Sequence, residues 1–451
     1  MNAVLTRRLI ATTIVLVLAA ASVSAAGQDA RPQPGDDPLL QSLIAEALAR
    51  NPEVAAAQAA ITAARQRPAQ VSGRPDPMVS MAYTNDGWAP SLGGMPMTTL
   101  ALMVSQEFPH AGKRQQRADV AVNEARQSEP PLARVRLAIE AGVARAYYGL
   151  LLARELAALT AQQRELWQQI EVVARARYAV GQGAQQDVLR VQVEVTRVEQ
   201  RAIEQASEAE LRLAELNTLL ARPMDARLET SAALTLRPLT QSLAAAVEQA
   251  RTISPDLAAA RLAVATEQSV LALAQLDFKP DVSVQAGYMN RGGLAPVWLA
   301  GVGVSWPLNK TRRQGAVAES QFRSERDARA IESIDLRLRW RSQERYTRAR
   351  TAEKMVDLYD QGIIPQDRMT VESALASYQG GRLPFVSVLE SMTALYADRW
   401  ARETLVADHE RLVASLREAS LDATPEMAAV GAMGAARATG AAAASGGMGG
   451  R

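Results

Sequence analysis

The chain has 451 residues, a net charge of +2 from 50 basic and 48 acidic side chains, no cysteine, and an aromatic content of 4%. Interspersed, near-balanced charge gives no footprint for nucleic acid. The lack of cysteine excludes disulfides, thiolate metal sites and lipidation at an N-terminal cysteine, while the abundance of alanine, arginine, glutamine and glutamate is that of long helices packed as coiled coils.

Residues 1–26 read as a cleaved export signal, with Arg7-Arg8 before the apolar stretch Leu9 to Ala21 and small residues at Val23-Ser24-Ala25. Beyond it there is no run of about 18 consecutive apolar residues, so no transmembrane helix is expected and any membrane crossing falls to strands. From Pro38 to about Ser72 the pattern is helical, with Asn51 as N-cap of a segment opening on Pro52. The period then drops to two. In Met78–Thr84, Val79, Met81 and Tyr83 oppose Ser80, Ala82 and Thr84. A loop containing Asn85, Asp86, Gly87, Pro90, Gly93 and Gly94 leads to a strand Thr99–Phe108 that Pro109 ends.

A helix from about Gly112 to Val180 follows, about 100 Å long at 1.5 Å per residue. Val135, Ile139, Val143, Ala146, Leu150 and Ala153 form its seam. The turn Gly181-Gln182-Gly183 sends a helix of about 35 residues back, as in a helical hairpin. The whole pattern then recurs. Val282, Val284, Ala286 and Tyr288 oppose Ser283, Gln285 and Gly287, Asn290 to Gly293 turn, and Trp298, Val302, Val304 and Trp306 oppose Gly301, Gly303 and Ser305. A second long helix runs from about Thr311 to Gln379 with the seam Ala349, Ala352, Val356, Tyr359, Ile363; Pro365 is expected to kink or split it. It ends at Gly380-Gly381-Arg382, and another helix returns. From Leu421 the chain is Ala, Gly, Met and Ser, read as a disordered tail.

This is a tandem duplication. Asn51-Pro52-Glu53 answers to Ser254-Pro255-Asp256, Pro75-Asp76 to Pro280-Asp281, and Tyr178 to Tyr378, at offsets of 203, 205 and 200. The domain plan is a first repeat over 38–220, a linker over 221–239, a second repeat over 240–420, and a tail over 421–451. Four amphipathic strands cannot close a cylinder, because membrane barrels begin at about eight strands and a sheet in lipid must satisfy every backbone group. Several chains must pool their strands, with cyclic symmetry the natural closure. Tyr83, Tyr288, Trp298 and Trp306 sit toward strand ends, where aromatic girdles lie. The competing reading is a soluble periplasmic coiled-coil scaffold or adaptor whose hairpins pack on its own helices.

The segment Arg177 to Arg190, with Tyr178-Ala179-Val180-Gly181 and Asp187-Val188-Leu189, resembles the helical-hairpin tip of TolC-like outer membrane factors. So do Ile363-Ile364-Pro365-Gln366, Ala374 to Tyr378, Gly381-Arg382 and Val388-Leu389, while Ser105 to Pro109 with Gly112-Lys113-Arg114 resembles that family's strand-to-helix junction. The resemblance covers nearly all of residues 38–420 and is closest to the heavy-metal efflux branch of Czc and Cus type. It implies a mainly α chain with a small β part: a homotrimer with a twelve-stranded transmembrane β-barrel in the outer membrane and a long periplasmic α-barrel. It also implies a passive duct that works with a periplasmic adaptor (membrane fusion) protein and an inner-membrane RND-type pump. Drug-efflux and type I secretion ducts share that architecture and are the alternatives.

The resemblance also implies residue roles. Glu390 and Ser387, with Asp187 the first-repeat counterpart of Ser387, are the pore-constriction positions; Ser387 stands where the family's best-known member has an acid, so a double acidic ring is in doubt. Val180, Gly181, Gly183, Gly380, Gly381 and Arg382 are the adaptor-docking tip, with Arg382 able to bond exposed carbonyls at a helix end. The residues themselves give no nucleophile elbow, phosphate loop or acid–base pair, so no enzyme and no cofactor is expected. His110 and His409, the only histidines, make no metal cluster. Met78, Met81, Met95, Met97 and Met103 crowd the first hairpin, where a thioether path for Cu(I) competes with ordinary apolar filling.

Overall fold

The computed structural model describes residues 37–86, 88–91, 97–228, 233–417 and 419. The signal segment, the tail and the glycine-rich part of the first hairpin loop lie outside the described residues. The chain divides into two compact units, residues 1–42 and 43–451. Helix α1 (Pro38–Arg50) begins in the first, and all other described elements belong to the second.

Asn51 starts α2 (Pro52–Ala64): its side chain accepts from the Glu53 amide at 2.9 Å, and proline at the first helical position loses no needed donor. After α3 (Arg67–Ser72) come β1 (Met78–Thr84) and β2 (Thr99–Phe108), with the bounds that the alternation predicts. The predicted helix from Gly112 is not continuous. It splits into α4 (Lys113–Arg126) and α5 (Glu129–Ala179), because Pro130 and Pro131 are tolerated only in a first turn and the helix has to restart there. Helix α6 (Gln185–Leu219) returns along α5.

The second half repeats the order with α7 (Leu243–Ile253), α8 (Pro255–Leu276), β3 (Asp281–Arg291) and β4 (Leu294–Ser305). Strand β3 runs through Asn290 and Arg291, so the turn is confined to Gly292-Gly293. Next are α9 (Lys310–Leu358), a π-helical turn Tyr359–Ile363, α10 (Ile364–Gln379) and the returning α11 (Phe385–Arg417). Pro365 therefore neither breaks nor ends the helix. The wide turn immediately before it absorbs the missing amide and the ring, which is how π-bulges let a helix pass a proline.

The four strands form one antiparallel sheet in the order β1-β2-β3-β4. The hairpins join through β2 and β3, Leu102 opposite Tyr288 and Val104 opposite Ala286, while β1 and β4 keep open edges within the chain. Helix α8 is long and apolar enough to cross a membrane, contrary to the sequence expectation. Its apolar residues are interrupted by Arg261 and by Thr266 to Ser269, and its polar side has partners in a neighbouring helix: Asn123 donates to Ser269 Oγ at 2.8 Å and Gln127 to Thr266 Oγ1 at 2.6 Å. It is a wall helix of the bundle.

Candidate pore gate and membrane face

At the far end from the sheet, α5–α6 and α10–α11 form two helical hairpins over one core. Trp167, Ile170, Tyr378, Phe385, Val388 and Met392 are each at most 2% exposed within it. Both tips are closed by the same backbone device. Gly181 (φ 73°) and Gly381 (φ 74°) take the left-handed conformation that other residues adopt only with strain. Their amides bond the carbonyls of Tyr178 and Tyr378 at 3.0 and 2.9 Å, and the next amides, of Gln182 and Arg382, reach Arg177 and Ser377 at 2.9 and 2.8 Å. Each is a Schellman cap. Gly380 is right-handed and carries no such constraint. Gly183 is placed by crowding, since an added Cβ would sit 3.1 Å from the Arg177 Cβ.

The equivalent positions of the two hairpins then diverge. Tyr178 is half exposed, whereas Tyr378 is buried, its ring edge-on to Phe385 at 5.5 Å. Its hydroxyl donates to Asp187 Oδ2 at 3.3 Å, from one hairpin to the other. Burial first, and then the Asp187 carboxylate, pushes the phenol above its ordinary value, so it stays a donor. Arg177 completes the link. Its guanidinium donates to Gln379 O of the second hairpin at 3.0 Å and to Gln182 O at 3.0 Å, and it stacks on the Tyr378 ring at 4.7 Å. Arg382, expected to bond helix-end carbonyls, makes no side-chain hydrogen bond among the described residues; Arg177 does that work. A basic residue in the last helical turn was the available signal.

Of the constriction positions, Asp187 is thus drawn into the inter-hairpin link and Ser387 is half-buried, while Glu390 is exposed on the returning helix. Val180 is exposed at the tip beside Gly181, around which a Cβ would meet nothing within 4 Å.

At the other end, the sheet register puts the apolar side chains on one face. Val79 faces Val104, Met81 faces Leu102, Val282 faces Val304, Val284 faces Val302, and Tyr288 faces Trp298. Most of these are exposed: Val302 is 71% and Trp298 77% accessible. The reverse face holds Ser80, Thr84, Ser105, Gln285 and the glycines opposite Ser283 and Gln285. Tyr83 sits at the loop end, hydrogen-bonded to Ser91 O at 2.7 Å, near the Tyr288–Trp298 pair with ring centroids 5.0 Å apart. Trp306 lies at the helix end. Strand β4 is 12 residues long, Leu294–Ser305, enough for the roughly 9–11 that a transmembrane strand needs, and Trp306 follows directly after it.

The junction motif Gly112-Lys113 gains a physical reason. Gly112 has φ 97°, and the buried Lys113 ammonium reaches Asp281 Oδ2 at 2.9 Å and Lys279 O at 2.9 Å, tying the strand-to-helix junction after β2 to the helix-to-strand junction before β3. The methionines of the first hairpin are not gathered. Met81 is on the apolar face, Met78 and Met103 have the opposite parity, Met97 is in the loop and Met95 lies outside the described residues. His409 is buried with its two ring nitrogens 3.1 and 3.2 Å from Glu410 and Glu353, and among the described residues no group of three side chains is arranged to hold a metal.

The outer membrane efflux protein family model matches residues 43–222. Solved structures extend the likeness to both halves. The outer membrane protein VceC of Vibrio cholerae is 19% identical over 84% of this chain and 95% of its own, with a TM-score of 0.70. The outer-membrane channel OprN is 18% identical over 85% and 90%, and CusC, described as forming a transmembrane channel, is 17% identical over 85% and 92%, both at a TM-score of 0.67. No curated protein sequence matches the chain. The first half of the chain, residues 43–222, thus matches the outer membrane efflux protein family model, and about 85% of the chain shares the fold of solved outer membrane channels.

Proposed function

We propose that three copies of this chain pool their sheets into a twelve-stranded barrel in the outer membrane, and that the helices continue it as a duct through the periplasm. One observation carries the reading: a single sheet with one continuous exposed apolar face and two unpaired edges. Such a sheet is stable in lipid only when neighbouring copies satisfy its edges. The repeat plan of 38–220 and 240–420, joined by a linker, supplies four strands and two helical hairpins per copy.

In this reading the duct is the exit channel of a tripartite efflux system, and an adaptor docks on the tips around Val180, Gly181, Gly183, Gly380, Gly381 and Arg382. The links of Tyr378 to Asp187 and of Arg177 to Gln379 hold the second hairpin against the first and keep the periplasmic mouth narrow. Opening requires both links to break. Threefold copies of Glu390 near the axis favour cations, which together with the motif wording favours heavy-metal cations over drugs as cargo.

The test is a disulfide across the expected seam between copies. Cysteines placed on β1 and on β4 should yield covalent trimers in outer membranes that resist carbonate extraction. A chain that washes off as a monomer would refute the channel reading.

A further inference from the structure

Resting on the membrane placement just proposed, we infer that the two helix–strand junctions of the second repeat, between α8 and β3 and between β4 and α9, form a docking surface for an anionic phospholipid headgroup of the periplasmic leaflet. The first observation is a charge asymmetry between the two ends of the strands. The junction segments 73–77, 107–117, 277–281 and 305–313 carry eight basic and four acidic residues, a surplus of four positive charges per chain. The opposite ends, residues 84–99 and 290–294, carry one of each, Asp86 and Arg291. The chain has only four lysines, and three of them, Lys113, Lys279 and Lys310, are at the junction.

The second observation is which of these cations are already used. Lys113 is buried against Asp281, and Arg313 donates to the carbonyls of Asp277 and Asn309 at 2.7 and 2.9 Å. Lys279, Lys310 and Arg312 are exposed, and among the described residues their side chains make no hydrogen bond or ion pair. The third observation is an open groove between the end of α8 and the start of α9. Lys279 lines it beside Phe278, Val317 and Ala318.

These features fit one occupant. Trp306 and Leu308, 68% and 81% exposed, continue the apolar face of the sheet to the level of the cations. A lipid there can keep its acyl chains on the strand face while its phosphate meets Lys279, Lys310 and Arg312. Lysine stems suit such a boundary, because the alkyl chain lies along apolar surface while the ammonium reaches the headgroup. Each cation near an anionic membrane surface contributes about 1 kcal/mol, roughly fivefold in affinity. Three per chain would give the junction a marked selectivity over zwitterionic lipid.

The experiment uses the full-length protein reconstituted in vesicles of phosphatidylcholine with graded amounts of brominated phosphatidylglycerol or brominated phosphatidylcholine, read by tryptophan quenching. The wild type should prefer the brominated phosphatidylglycerol by at least about fivefold, and the preference should shrink at high salt. The triple variant Lys279→Gln, Lys310→Gln, Arg312→Gln should quench equally with both lipids, while Lys279→Arg should behave as wild type. All three sites are on the surface, and circular dichroism checks that the variant is folded. Equal quenching in the wild type overturns the lipid site and leaves the membrane reading intact. A preference that survives in the triple variant overturns the assignment to these residues. No quenching by either lipid overturns the membrane placement itself.

Discussion

Removing the side-chain link between the two hairpin tips should open the duct, and the size of the effect follows from the contacts. Arg177→Met keeps the aliphatic stem but deletes the donation to Gln379 O and the stacking on Tyr378. The first contributes about 1 kcal/mol at so exposed a site, and the second about 0.5–1 kcal/mol. Tyr378→Phe deletes the 3.3 Å bond to Asp187 and keeps the ring, a loss of about 0.5 kcal/mol at that length. The double variant thus loses about 2 kcal/mol per chain, or about 6 kcal/mol if three chains open together, roughly four orders of magnitude in the opening equilibrium. The two residues touch, so this sum is an upper bound. Single-channel recording in planar bilayers reads it directly as open probability. Arg175→Met is the control, since Arg175 pairs within its own helix with Glu171 at 2.6 Å. A folded trimeric double variant whose open probability equals that of wild type would refute the latch.

Gly181→Val and Gly381→Val should each cost about 1–2 kcal/mol from left-handed strain and abolish efflux while trimer yield and membrane fraction persist; retained resistance would defeat the docking role of the tips. Glu390→Gln should reduce cation preference, read as a shift of reversal potential toward zero in a salt gradient. Asp367 is held above the ordinary carboxyl range by burial first and then by Asp398, so the folded state favours its proton. Its stabilising contribution is present at low pH and is lost as pH rises through that raised value. Asp367→Asn should therefore raise the melting temperature in detergent at neutral pH and leave it unchanged near pH 3, where the native carboxyl is protonated.

Local features were legible in the sequence wherever a short pattern decides the structure. Strands β1 and β2 took their predicted bounds because alternation is sharp and Pro77 and Pro109 flank it. Both tip caps were visible as Gly181 and Gly381, since only glycine takes that backbone angle without strain. What stayed hidden depends on residues far apart. No local pattern tells that β2 pairs with β3, or that Tyr378 turns inward while Tyr178 stays half exposed. Pro365 looked like a helix breaker because the sequence does not disclose that the preceding turn widens. Pro130-Pro131 is the opposite case: the pair is legible in the sequence as a helix restart, and the apolar seam that continues through it masks the break. The Arg177 contact needed both hairpins in place before its partner, a backbone carbonyl with no sequence signature, came within reach.

The seam between β2 and β3 has a consequence for how the molecule is made. Leu100 pairs with Asn290 and Phe108 with Val282, so neither hairpin can finish the sheet until well over a hundred intervening residues have been delivered. Closing so long a loop is slow, and the N-terminal ribbon has to wait with a greasy flank and an open rim, the very state that invites wrong partners. Biogenesis of this protein is therefore gated by chain delivery: the early ribbon needs a holder until its late-synthesised mate emerges.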